Sequence, residues 1–440
     1  MTPPELLGTL PPGIRQLLDL VIAVANSQHT PLYVVGGFVR DLLLGRPHLD
    51  LDFVVEGNGI SFANTLRDRY DGEVKAYSPF GTATWILNAN VARSVGATIN
   101  DWPAFVDIVT ARLETYAHPG ALPDVVPSAL HDDLYRRDFT INAMAIQLAP
   151  SGTLIDPFGG EADLRAGTIR VLHDGSFMDD ATRIFRAVRF EQRFDFQIEP
   201  HTLGLIPAAL PTLKAISGER LRHEIDLILQ EAEPEQALRR LDELGVLRTI
   251  DNRLEFDEWR ATKFKQVRTQ DSPISQAHVG TDYVQRAVAR VKIYWIILGW
   301  HLPDVDGFAR SLMIPGDLTA ALVESKRLAK ILPELSAELP PSQVVLRLQG
   351  RGDTSSEVFE ALWYLAPDQT AQANIAAYVL KWQHIWPSLT GEDLKAMGLE
   401  PGPMFGKLLW ELRRAKLDGE ISTPAEERAY LERLLGKGNE

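Results

Sequence analysis

Asp50 and Asp52 stand two residues apart in the run Asp50-Leu51-Asp52-Phe53-Val54-Val55. In an extended chain alternate side chains share a face, so both carboxylates point to one spot while Leu51 and Phe53 turn to a core. Paired hard oxygen donors suit Mg2+, and two such ions clamp the attacking and leaving oxygens of an in-line phosphoryl displacement. A lone Asp-x-Asp is most often an exposed strand or turn, but here a second feature stands upstream. Leu32 to Val35 is an apolar, β-rich run, and Gly36-Gly37 then turns the backbone sharply and brings bare N–H groups to a helix N-terminus. Carboxylates for metal beside an amide nest for phosphate make a phosphoryl transfer site.

Three further stretches carry chemistry. In Phe105-Val106-Asp107-Ile108-Val109 a carboxylate sits among apolar neighbours, which costs free energy unless a partner or metal satisfies it. Taken alone it reads as a strand-edge residue facing solvent; beside Asp50 and Asp52 it reads as a third metal-side carboxylate. In residues 133–148 the polar members are Arg136, Arg137, Asp138 and Asn142, followed by apolar residues at helix-like intervals. By itself this predicts a salt-bridged helix start capped by Asp138 or Thr140. Residues 179–190 form an amphipathic pattern that predicts a helix with Asp180 and Arg183 on one face. Such a pair is either an ordinary intrahelical ion pair or an acceptor set beside a donor. The second arrangement matches cytosine (N4 amino donor, N3 acceptor) and adenine (N6 amino donor, N1 acceptor). Guanine and uracil present the reverse order.

These residues need a scaffold. Apolar spacing over 14–25 and the pattern of 60–70 predict helices, and 73–76 and 84–87 predict short strands. The sum is an α+β fold whose mixed, largely antiparallel sheet carries helices on one face. Residues 115–130 carry prolines and a glycine and predict a long loop beside the site, and 155–160 predict a turn. From about 235 onward the pattern is helical. The basic residues Arg260, Lys263, Lys265 and Arg268 within 251–275 fit either an RNA-facing segment or, as is more common, a solvated face. Lys407, Arg413, Arg414 and Lys416 near the end are further candidates for RNA phosphates.

Composition narrows the class. A chain of 440 residues has room for about three domains. With no cysteine it has neither disulfides nor thiolate metal ligands, so any metal uses oxygen or imidazole. The net charge of −14 excludes a uniformly basic nucleic-acid binder and confines RNA contacts to local patches. The start, MTPPELLGTLPPG, lacks a signal-peptide pattern, and Ile293 to Trp300 is too short to span a bilayer. A cytoplasmic protein without a membrane partner is expected.

GGFVRDLLLGR followed by DLD, and RRDFTINAMA after it, resemble the class II tRNA nucleotidyltransferase and poly(A) polymerase branch of the DNA polymerase beta nucleotidyltransferase superfamily. The resemblance runs through five ordered motifs over roughly residues 30–225. It implies a catalytic head over 1–155, a helical neck with a base-selecting helix over 156–235, and a tRNA-binding helical body and tail over 236–440. It implies that Asp50 and Asp52 hold Mg2+ and that Asp107 positions or deprotonates the primer hydroxyl. Gly36, Gly37, Arg40, Arg137 and Asn142 would bind the triphosphate and ribose, and Asp180 and Arg183 would select the base. Asp179 stands where the family usually has glutamate. Residues 115–130 match a flexible element that helps switch nucleotide choice. Ser217-Gly218-Glu219-Arg220 matches a motif that mainly supports the preceding helix. The implied reaction is metal-dependent addition of C and/or A from CTP or ATP to a tRNA 3′ end, releasing pyrophosphate. Its alternatives are a poly(A) polymerase of the same branch and a non-catalytic tRNA-binding protein, which loss of a carboxylate would mark.

Overall fold

The structure is a computed structural model that describes residues 3–46, 51–94, 102–116, 118, 123–150, 152–278, 282–349 and 354–436. The chain forms two compact units, Met1–Arg220 with Glu243–Ile250, and Leu221–Asp242 with Asp251–Glu440.

Among the described residues the first unit holds eleven strands, of which the first nine in chain order are β1 (Leu32–Val35), β2 (Asp52–Val55), β3 (Glu73–Tyr77), β4 (Thr82–Ile86), β5 (Phe105–Thr110), β6 (Arg112–Thr115), β7 (Asp124–Pro127), β8 (Ala145–Ala149) and β9 (Thr153–Ile155). Seven of them build one sheet in the order β3-β4-β5-β2-β1-β8-β9, in which only β2 and β5 run parallel. The sheet is mixed and largely antiparallel, as expected. The helices that frame it are α1 (Pro12–Ser27), α2 (Gly37–Leu43), α3 (Gly59–Tyr70) and α4 (Leu130–Tyr135); later in the chain come α5 (Ser176–Asp179), α6 (Arg183–Phe194) and α7 (Gly218–Leu229), of which the first unit holds only the start of α7. Strand alternation divides the core: α3 packs on β4 and β5. Tyr33, Val35 and Val54 point to the other face, where they meet Leu130 and Leu134 of α4. Helices therefore lie on both faces rather than one.

Two expectations fail locally. The helical reading of 133–148 ends at Tyr135; after a turn and a single 3-10 turn at Thr140–Asn142, Ala145–Ala149 is a central strand. That strand is mostly buried, and a short apolar run buried on both sides has no periodicity to tell it from a helix. Residues 115–130 are not all loop, since β6 and β7 pair as a hairpin from Arg112↔Pro127 to Thr115↔Asp124. Pro127 ends its strand, where a missing N–H costs no ladder bond.

The second unit is helical, and among the described residues no helix is long and apolar enough to cross a membrane. Ile293 to Leu298 are fully buried inside helix Tyr283–Gly299. Most of the basic residues singled out above are turned inward. Arg260 is 1% exposed, Lys263 Nζ donates to the Tyr364 carbonyl (2.6 Å), and Arg268 pairs with Glu235 (2.8 Å). Arg413 donates to the Ile385 carbonyl (2.9 Å) and Lys416 pairs with Glu427 (2.7 Å). Arg414 is held by Glu411 at 2.9 Å. Lys265 and Lys407 remain exposed. The guanidinium groups of Arg268, Arg413 and Arg414 commit donors to protein partners, whereas Nε and Nη1 of Arg260 are buried without a hydrogen-bond partner.

Candidate active site

In the parallel pair β2–β5, Asp52 is the register partner of Asp107. Neighbouring strands lie about 4.8 Å apart, so the two half-buried carboxylates leave the sheet side by side on the same face. Thr84, the partner of Asp107 on its other side, donates its hydroxyl to Asp107 Oδ1 at 2.5 Å. One oxygen of Asp107 is thereby anchored. Asp50 lies outside the described residues, and among the described residues no group of three acidic or imidazole ligands gathers. Asp52 and Asp107 are thus the described carboxylates placed to hold a hard divalent cation.

Because β1 is antiparallel to β2, the end of β1 that delivers Gly36 lies at the start of β2, where Asp52 stands. Gly36 has φ +70° and ψ −133°, a backbone state that side chains resist. A Cβ there would come within 2.5 Å of Arg137 Nη1, and one on Gly37 within 3.4 Å of Arg40 Nη2. The two glycines let two guanidinium groups lie directly on the turn. Arg137 is aimed by Asp133, a fully buried carboxylate that takes Nη2 of Arg137 at 3.0 Å and Nη2 of Arg136 at 2.6 Å. The Nε of Arg137 is buried without a hydrogen-bond partner. An unsatisfied buried cationic donor over a glycine turn fits an anionic ligand.

Arg40 and Asn142, also expected at the triphosphate, are each held by protein partners. Each is 5% exposed, and they bind one another, Arg40 Nη1 donating to Asn142 Oδ1 at 2.7 Å. Arg40 also forks onto Asp41 (2.8 and 2.9 Å) and lies over the rings of Phe190 and Phe194. Asn142 Nδ2 donates to Asp138 Oδ1 (2.9 Å), and Asp138 Oδ2 receives Arg186 Nε (2.8 Å). The chain Asp41–Arg40–Asn142–Asp138–Arg186 braces α2 against α6. Burial alone would raise the Asp138 carboxyl, but Arg186 and Asn142 outweigh it and hold it at about 2. A depressed folded-state pKa contributes stability above the unfolded value near 3.8 and loses it as pH falls towards 2. The contribution is about 2.5 kcal/mol. Asp138→Asn should therefore cost at least this much at pH 7 and less at pH 3, as read by denaturant titration of both proteins at each pH.

Asp180 and Arg183 do not share a helix face. Helix α5 ends at Asp179, Asp180 is extended (φ −144°, ψ 101°), and α6 begins only at Arg183. The break is stabilised by Asp180 itself, whose Oδ1 accepts from the backbone N–H and the hydroxyl of Thr182 (3.0 and 2.8 Å). A carboxylate followed two residues later by a threonine favours this local turn over helix. Asp180 Oδ2 receives Arg220 Nη2 at 2.8 Å. Arg183, 6% exposed, donates to Ser176 Oγ (2.6 Å) and to the Arg136 carbonyl (2.8 Å). Each side chain retains capacity: a carboxylate offers about four lone-pair sites and a guanidinium five N–H groups.

Asp133 and Arg186 had no assigned role in the sequence reading, Asp138 only that of a helix cap, and Arg220 only a place in a motif supporting the preceding helix. Asp133 and Asp138 flank the Arg136-Arg137 pair, and that spacing was a usable signal. Arg220 lies 40 residues from its partner and left none.

Residues 32–170 match the model of the Poly A polymerase head domain, and residues 195–251 match that described as the probable RNA and SrmB-binding site of polymerase A. The chain is 35% identical over 437 residues to an A-adding tRNA nucleotidyltransferase of Geobacter sulfurreducens, covering 96% of this chain and 47% of that protein. It is 32% identical to the A-adding tRNA nucleotidyltransferase of Halalkalibacterium halodurans, over 92% of this chain and 89% of that one. A solved structure of the Thermotoga maritima CCA-adding enzyme complexed with tRNA-CCA superimposes with a TM-score of 0.76 at 31% identity, covering 99% of this chain and 98% of the other. With likeness of this extent to proteins of one kind, the chain belongs to the tRNA nucleotidyltransferase family.

Proposed function

We propose that the chain is a cytoplasmic enzyme that transfers CMP and/or AMP from CTP or ATP to the 3′ end of tRNA and releases pyrophosphate. The observation that carries this reading is the register pairing of Asp52 with Asp107 beside the Gly36 turn, over which Arg137 lies with a buried donor unsatisfied. Gly36, Gly37 and Arg137 bind the triphosphate, Arg137 through the planar fork that matches phosphate oxygens. Arg40 and Asn142 act through position, holding that turn against α6. Asp107, with one oxygen fixed by Thr84, uses the other to orient the primer 3′ hydroxyl or take its proton. Magnesium held by Asp52, with Asp50 and Asp107, would neutralise charge on the triphosphate and lower the pKa of the primer hydroxyl. Asp180 and Arg183 read the base with the lone pair and N–H groups that their protein partners leave over. The helical second unit holds the tRNA. Along nearly the whole chain, identity of 35% and 32% to A-adding enzymes against 31% and 28% to CC-adding ones favours addition of the terminal A.

Three tRNA transcripts, ending before the CCA, after CC and after CCA, incubated with CTP, ATP or both, test the reading. Extension of the CC-ended transcript by one A is expected. A long adenosine tract on any transcript would point to a poly(A) polymerase instead.

A further inference from the structure

We infer that Arg220 is a specificity-determining residue: its guanidinium fixes the plane of the Asp180 carboxylate and so decides which bases the site accepts. The inference rests on the reading that Asp180 and Arg183 contact the base. Asp180 Oδ1 is already saturated by the N–H and hydroxyl of Thr182. The remaining acceptor positions are therefore on Oδ2, and Arg220 Nη2 takes one of them at 2.8 Å. What is left is a single lone pair whose direction is set by the Arg220 bond, and an exocyclic amino group is its natural partner. Arg183 is anchored independently of Asp180, on Ser176 and the Arg136 carbonyl. Losing Arg220 thus leaves the donors of Arg183 in place while the acceptor beside them swings about the Thr182 anchor. A site with fixed donors and a loose acceptor penalises less a base edge that presents a carbonyl, so that only a ring N–H facing the donors of Arg183 still opposes the base. Guanine and uracil present such an edge. Arg220 is about one-third exposed, so its removal opens no cavity in the core.

The test compares incorporation of all four nucleotides on one CC-ended tRNA by the full-length wild type, Arg220→Ala, Arg220→Lys and Arg183→Ala, with a thermal melt of each. Arg220→Ala should raise G and U incorporation relative to A by about tenfold, the scale of one charged hydrogen bond. Arg220→Lys, which keeps the charge but not the fork, should fall between it and wild type, and both should melt near the wild-type temperature. An altered preference in Arg183→Ala together with an unaltered one in both Arg220 variants would overturn the role of Arg220 alone. An unaltered preference in all three would overturn the base-reading assignment and this inference with it. A melting temperature lowered in Arg220→Ala with its preference unchanged would reduce the contact to a brace between α5 and α7.

Discussion

Asp52→Ala abolishes nucleotide transfer, lowering its rate by about a thousandfold or more, while tRNA affinity stays at the wild-type level. The expected size follows from chemistry that a phosphoryl-transfer metal supplies, several kcal/mol of charge stabilisation, each ~1.4 kcal/mol being a decade in rate. Asp52 belongs to a buried strand, but its own side chain is half-buried and borders the face shared with Asp107. Truncation there would remove the proposed metal ligand without opening the core, since Phe53, Val54 and Val55 carry the packing. Asp52→Asn should be nearly as impaired, because an amide is the same shape and lacks the charge. Primer extension beside a gel-shift titration reads both quantities, and extension within about tenfold of wild type would remove Asp52 from the metal site.

Gly36→Ala should be the next most damaging change. The substitution forces a side chain into a backbone state with φ +70°, at a cost of about 1–2 kcal/mol, and sets its Cβ within 2.5 Å of Arg137 Nη1. The guanidinium is the end of a flexible side chain and moves before the backbone does. Its displacement breaks the alignment with Asp133 and withdraws the cation from the turn. The expected outcome is a rise of one to two decades in the nucleotide KM, about 1.5–3 kcal/mol for a lost charged contact, with a smaller fall in thermal stability. Steady-state kinetics with ATP varied at saturating tRNA measure it. A mutant with unchanged KM would place the triphosphate away from Gly36.

Side chains whose partners lie near in sequence were legible before the fold. Period-two alternation put Asp52 and Asp107 on usable faces, and the Gly36-Gly37 turn followed from backbone chemistry. Register was not legible, because the sequence of a strand does not name its neighbour. That Asp52 and Asp107 stand opposite each other across a parallel pair comes from the sheet alone. The run at Ala145–Ala149 was ambiguous because both of its sides are buried. The protein partners of Arg40 and Arg183 were hidden for a related reason. An arginine in a sequence advertises a ligand, yet each here also commits donors to partners brought close by folding, Asn142 at 102 positions away and the Arg136 carbonyl at 47. The helix expected over 179–190 begins only at Arg183 for a nearer cause, the competition of Asp180 for the N–H of Thr182.

The most direct measurement is the stoichiometry of transfer on a tRNA ending in CC, supplied with each nucleoside triphosphate in turn, in the wild type and in Asp52→Ala. One AMP incorporated for each pyrophosphate released from ATP is expected of the wild type, with little transfer from GTP or UTP and none from any nucleotide in the mutant. Pyrophosphate release without tRNA extension, or equal incorporation of all four nucleotides, or full activity in Asp52→Ala, would contradict template-free nucleotidyl transfer at this site.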